Sequence, residues 1–225
     1  MGELLTSALA GYLAGAVPCA DLVAHLASDG ATDLREAGTR NPGAVNAMSV
    51  LGRRWGMAIL TADVAKGAVA CALGARLGGE RGAHVAGTAA VVGHCLPMWS
   101  RFRGGKGVAV SLGQCLATFP VYLPADLGVA WAVGRWRGRT LPGTVAGSAT
   151  WVAASLLWWW RGWPDLWGPG FARRPGGSRR GPGPLLPVSA AASSAMIVWR
   201  FLAARRQGWP YTADATVDVE EAATR

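Results

Sequence analysis

The chain has 225 residues, 51% of them hydrophobic and 16% charged, with a mean hydropathy of +0.24, a formal net charge of +9 and a pI near 10.4. That balance disfavours an ordinary soluble domain and favours a polytopic membrane protein. The positive charge stands mostly as arginine in short turns between apolar runs, as in loops that face anionic lipid, and no polar block of basic and aromatic residues argues for a nucleic-acid partner.

Taken in chain order, the apolar runs predict an all-α, polytopic membrane bundle of about seven transmembrane helices. They run from Leu4 to Ala27, Trp55 to Leu77, His84 to Trp99, Val108 to Phe119, Val121 to Val133, Gly143 to Trp160 and Leu185 to Ala204. Several fall short of the roughly 20 residues an upright span needs, and the two that flank Pro120 read as short or tilted. Glu3 stands where a signal peptide has a basic region, so the first run reads as a retained span.

Basic residues set the expected orientation. With the N-terminus outside and the C-terminus cytoplasmic, the inner turns hold Arg35, Arg40, Arg53, Arg54, Arg101, Arg103, Lys106, Arg135, Arg137, Arg139, Arg200, Arg205 and Arg206. The outer turns hold fewer: Arg76, Arg81, Arg161, Arg173, Arg174, Arg179 and Arg180. Residues 161–184, rich in Pro, Gly and Arg, resist helix and read as an irregular loop. Residues 1–207 then form one transmembrane domain, and 208–225 a flexible tail. The 32 glycines suit close helix packing, so only those clustered in turns carry a functional reading. Tryptophans near span ends, such as Trp55, Trp99, Trp136 and Trp160, suit interfacial anchoring.

The turn Gly104-Gly105-Lys106-Gly107 is the strongest candidate for chemistry. Glycines let backbone N–H groups approach an anion, Lys106 adds a point charge, and Arg101 and Arg103 offer planar forks. The helix that starts directly after it can turn its first N–H groups to the same anion. Upstream, 33–46 alternates hydroxyl, amide and guanidinium groups with Gly and Pro. There Thr39, Asn41 and Asn46 serve either as donors to phosphate or as ordinary turn formers. Asp63 and Lys66 share one helix face at i and i+3, either as a structural ion pair or as a pair that orients the turns. His94 ends the third run and is either a proton acceptor or a packing histidine. Cys19, Cys71, Cys95 and Cys115 are scattered in apolar runs, and His25, His84 and His94 lack ligand spacing, so no metal site is expected. Ser100 and Ser111 have no base nearby in sequence, which points to chemistry by positioning two substrates rather than through a covalent intermediate.

Gly15-Ala16-Val17-Pro18, residues 38–46, Leu51-Gly52, Asp63-Val64-Ala65-Lys66-Gly67 and Gly93-His94 through Pro97 to Gly104-Gly105-Lys106-Gly107 together resemble the bacterial membrane glycerol-3-phosphate acyltransferases of the PlsY family. The resemblance implies a seven-span enzyme of the bacterial plasma membrane, without a cofactor, its site facing the cytoplasm among membrane lipids. It would move an acyl group from acyl-phosphate to the 1-hydroxyl of glycerol 3-phosphate, giving lysophosphatidate and phosphate. By that resemblance His94, Lys106 and Asn46 are the catalytic group. Thr39, Asn41, Gly43, Gly104, Gly105 and Gly107 would bind substrate, with Arg40 and Arg103 expected to join them as guanidinium groups beside the turns and Asp63 and Lys66 to support them. The chain departs from the family pattern at Ala16 and Thr39, where serine is usual, at Arg40, where glycine is, and at Ser49, where arginine is. The stretch Arg139-Thr140-Leu141-Pro142-Gly143-Thr144 stands where the family has a serine-rich motif, and 199–208 lacks its histidine, asparagine and Gly-x-Glu turn. A divergent paralogue that binds a phosphorylated lipid precursor without turnover, or acylates another acceptor, fits the same fold. A small-solute transporter fits less well, because the polar residues gather in turns on one side rather than along a midplane path.

Overall fold

The computed structural model describes residues 1–163 and 183–206. Over these it is all-helical: α1 (Gly2–Ala16), α2 (Cys19–Ser28), α3 (Ala44–Leu51), α4 (Arg53–Cys95), a 3-10 turn (Met98–Ser100), α5 (Val108–Thr118), α6 (Leu123–Arg137), α7 (Thr140–Arg161) and α8 (Leu185–Arg206). Most of the expected loop at 161–184 and the whole expected tail at 208–225 lie outside the described residues, as do Arg173, Arg174, Arg179 and Arg180.

The first apolar run is two helices rather than one continuous helix. Pro18 has no N–H to continue the ladder and holds Val17 away from helical geometry (φ −53°, ψ 124°), so α1 stops at Ala16 and α2 restarts at Cys19. The second and third runs are arms of α4, which folds back on itself at Gly78 (φ −138°, ψ 23°) and Gly79 (φ 63°, ψ −150°). Two glycines suffice for the reversal because Gly79 takes a backbone conformation that side chains rarely adopt. Across the bend Gly74 and Gly82 press backbone to backbone. Residues 44–46 belong to α3, not to the turn expected there.

Lipid tails are as apolar as leucine, so helices here gain by close van der Waals approach rather than by burying surface from water. Small residues supply that approach. Gly11 and Gly15 of α1 lie on the backbone of Ala86 and Ala90 in α4, and Gly93 lies against Tyr12. On the other side of α4, Gly67 meets Val110, and Gly113 of α5 meets Val64. Leu5, Leu9, Leu13, Trp131 and Trp160 remain exposed, an apolar rim suited to lipid. Among the described residues, three helical stretches are long and apolar enough to cross a membrane: Gly2–Ser28, Arg53–Ser100 and Leu185–Arg206.

A buried polar seam stitches α4, α5 and α8 together. The Ser193 hydroxyl donates to Gln114 Oε1 (2.7 Å), the Gln114 amide reaches Thr88, and His84 Nδ1 lies 2.9 Å from the Ser189 hydroxyl. Away from water, such groups need each other.

Gly15→Leu would drive a side chain into the Ala90 backbone and should destabilise the bundle by about 1–3 kcal/mol. Gly128→Leu on α6, where an added Cβ meets nothing within 4 Å, should leave the melting temperature in detergent nearly unchanged. Thermal unfolding of the two variants side by side checks the contrast.

Candidate active site

The glycine turn is shaped by what it touches. Gly104 N–H donates to the Cys95 carbonyl and Gly105 N–H to the His94 carbonyl, both at 3.2 Å, satisfying carbonyls that the end of α4 would otherwise leave without partners. A side chain at Gly104 would strike the His94 carbonyl and Pro97, and one at Gly105 would strike the His94 imidazole. Gly107 has φ 86°, the left-handed geometry from which α5 departs. From behind, the buried Arg200 of α8 donates through Nη2 to the Gly104 carbonyl (2.7 Å) and through Nε to the Gly105 carbonyl (3.2 Å). The turn is therefore gripped on two sides.

Beneath it lies a buried ionic cluster. Asp63 Oδ1 is 2.8 Å from Lys66 Nζ and 3.7 Å from His94 Nδ1. The Lys66 contact has ion-pair distance without hydrogen-bond alignment, so Asp63 Oδ1 keeps accepting capacity beside the imidazole. Lys66 also donates to the Val17 carbonyl (3.1 Å), an acceptor exposed by the helix break at Pro18. The i, i+3 pair thus ties α4 to the α1–α2 junction.

Arg35 closes the facing wall. Its Nη1 and Nη2 take both carboxylate oxygens of Asp21 on α2, and its Nε donates to the Arg103 carbonyl (2.9 Å), just before the glycines. Together these groups line an open cleft, with Asp21, Arg35, Asp63, Lys66, His94 and Gly105 on its walls. Cations and carboxylates here are paired with one another, and backbone from the α1–α2 junction and the glycine turn frames them.

The expected site residues do not all reach this cleft. His94, Gly104 and Gly105 line it, with Asp63 and Lys66 at its base. Lys106 turns instead toward α8, its Nζ 4.4 Å above the Phe201 ring. Burial, and the positive Arg200 nearby, push the Lys106 ammonium below the usual lysine range. Arg103 contributes its carbonyl, while its side chain is exposed. Asn46 is buried, its amide donating to the carbonyls of Leu34 (3.0 Å) and Ala37 (3.1 Å) and its Oδ1 accepting from the Thr39 N–H (2.7 Å). Asn46 therefore holds the 34–39 loop in shape. Arg40 is exposed with φ 58°, Gly43 N–H donates to the Asn41 carbonyl, and the loop reaches the cleft through Pro42. Cys71, Cys95 and Cys115 are buried as small core residues, whereas Cys19 is half-buried and lines the cleft.

A protein-family model described as glycerol-3-phosphate acyltransferase matches residues 5–206. The chain belongs to the glycerol-3-phosphate acyltransferase family. A glycerol-3-phosphate acyltransferase of Synechococcus sp. (strain JA-3-3Ab) is 42% identical over 161 residues, 71% of this chain and 76% of that protein. Crystal structures of PlsY, an integral membrane glycerol 3-phosphate acyltransferase, share the fold. The glycerol 3-phosphate form superposes with a TM-score of 0.68 at 23% identity, covering 95% of this chain and 98% of that one. The lysophosphatidic acid form gives 0.67 at 22% identity, covering 92% and 94%. The fold of this family member is thus that of an integral membrane helix bundle.

Asp21, Arg35 and Arg200 were not singled out from the sequence as site residues, and two carried a signal. Asp21 and Arg200 are ionisable groups inside apolar runs, which are costly unless they face partners in the bundle. For Arg35 the signal was only its place in a polar turn.

Asn46→Ala removes three bonds from the 34–39 loop and should cost about 1–3 kcal/mol locally. Trypsin should then cut after Arg35 or Arg40 several times faster than in the unmodified protein, as read by limited proteolysis and mass spectrometry.

Proposed function

We propose that the chain transfers a fatty acyl group from acyl-phosphate to the 1-hydroxyl of sn-glycerol 3-phosphate. The observation that carries this is the docking of Gly104 and Gly105 onto His94, above the Asp63–Lys66 pair, in a member of this family. The acceptor oxygen attacks the acyl carbonyl carbon, the bond from that carbon to the phosphate oxygen breaks, and phosphate leaves with the electron pair. The hydroxyl proton passes to His94, whose Nδ1 lies 3.7 Å from Asp63 Oδ1. With the Gly104 and Gly105 N–H groups committed to α4, the N–H groups of Lys106 and Gly107 and the start of α5 hold the acceptor phosphate, and the Lys106 ammonium swings from the Phe201 ring to join them. Asn46 acts as a positioning residue through the loop it braces, together with Thr39, Asn41 and Gly43. Arg40 and Arg103 are exposed at the cytoplasmic rim, where they draw anionic substrate inward.

An acyl-phosphate is already activated, so its transfer needs positioning more than a nucleophilic side chain. Cys19 is the thiol in the cleft, and the polar partner of His94 is Asp63 rather than that thiol. Transfer is therefore direct. In this reading residues 1–207 form one seven-span domain of the bacterial plasma membrane. The N-terminus lies outside and the site opens to the cytoplasm, in keeping with the distribution of basic turns.

Purified protein in lipid should convert labelled glycerol 3-phosphate to lysophosphatidate with acyl-phosphate and not with acyl thioester. Lys106→Ala should lower kcat/KM by about a hundredfold. No product from either donor would overturn the proposal. Cys19→Ala should keep activity within about threefold, whereas its loss would point to an acyl-enzyme. Because burial lowers the Lys106 pKa, its charge is lost at lower pH than that of an exposed lysine. KM for glycerol 3-phosphate should then rise on the alkaline side, and Lys106→Arg should flatten that rise.

A further inference from the structure

The charged side chains lining the cleft are Asp21, Arg35, Asp63 and Lys66, and they differ in how tightly they are held. Asp63 and Lys66 are 2% and 9% exposed, Arg35 14%, and Asp21 38%. Moving Asp63 would leave a buried ammonium unpaired, whereas Asp21 can turn into water at small cost. Asp21 also stands in the first turn of α2, directly after the break at Pro18.

Arg35 is aimed by two hydrogen-bonded contacts, while the half-exposed Asp33 stands farther off, its Oδ1 3.7 Å from Nη1. Its Nε on the Arg103 carbonyl tethers it against the glycine turn, while its two Nη groups grip both oxygens of Asp21. A guanidinium fork that fits a carboxylate bidentately also fits two oxygens of a phosphate. We propose that Asp21 occupies the place of the acceptor's phosphate, and that Arg35 exchanges this carboxylate for the phosphate monoester while Nε stays on Arg103. The inference rests on the proposed acceptor chemistry and adds Arg35 as a substrate-binding residue and Asp21 as its internal competitor.

The exchange makes the cleft selective. An incoming anion must displace a carboxylate already in place, which a phosphate dianion does and a monoanionic carboxylate does not. Neutral polyols gain nothing from the exchange. The charge-balanced cleft thereby admits phosphate monoesters against a background of abundant carboxylic acids.

Calorimetry on the full chain in lipid nanodiscs, with inorganic phosphate and glycerol 3-phosphate as separate probes, tests the exchange. Asp21→Asn should tighten both about tenfold by removing the competitor. Arg35→Gln should weaken both, and the gain from Asp21→Asn should vanish in the Arg35→Gln background. Arg35→Lys, which keeps the charge without the fork, should weaken both while melting close to the unmodified protein. Unchanged or weaker binding in Asp21→Asn would make the pair a structural brace and overturn the proposal. A gain that persists without Arg35 would be a through-space charge effect and would also overturn it. Tighter phosphate binding without lysophosphatidate formation would leave the exchange standing and remove the acyl transfer. Product formation without the binding change would do the reverse.

Discussion

Two peptide N–H groups, those of Gly104 and Gly105, rest on the last carbonyls of α4, and a methyl group on either residue would collide with what lies below. The site depends on that close approach. Each of these bonds contributes only about 1 kcal/mol net, so their energy does not explain the geometry. Steric exclusion does: without side chains the turn settles onto the imidazole of His94, and with any side chain it would be held off. Once seated, its carbonyls point back into the protein and meet the guanidinium of Arg200. The opposite edge of the turn is left to the cleft. Arg35 completes the frame by holding the carbonyl of Arg103, so the end of α4 and two distant arginines agree on one position for the turn.

The same logic of small residues reaches from the site into the bundle. Glycine contacts draw α1 against the second arm of α4, and that approach brings the broken helix at Val17–Pro18 over the first arm. Pro18 matters twice. It frees the Val17 carbonyl, which Lys66 takes, and it turns α2 so that Asp21 and Cys19 face the cleft. Packing inside the membrane and polar geometry at its edge are thus one problem with one solution. A glycine lost from the α1–α4 seam would shift the cleft as well as weaken the fold.

Much of this was legible in the sequence, and what was not has a common cause. Apolar runs located α5, α7 and α8 closely, because a span must be continuous along the chain. The Asp63–Lys66 pair followed from helical spacing alone. The pairing of His94 with the glycine turn was legible because both lie within a few turns of each other. Arg35 with Arg103 and Arg200 with Gly104, however, are 68 and 96 residues apart, and no local period encodes such meetings. Asn46 shows a different limit. Its donors suit a phosphate, yet the loop's own backbone reached them first, and composition cannot say which partner wins. The break at Pro18 was hidden because membrane helices tolerate proline, so its place inside an apolar run does not by itself mark a helix end.

A crystal structure of the protein with sn-glycerol 3-phosphate bound tests whether the glycine turn holds the acceptor. The phosphate should be seated against the backbone of Gly104–Gly107 with the 1-hydroxyl turned toward His94. A phosphate bound away from the glycine turn, or a glycerol hydroxyl with no path to His94, would contradict it.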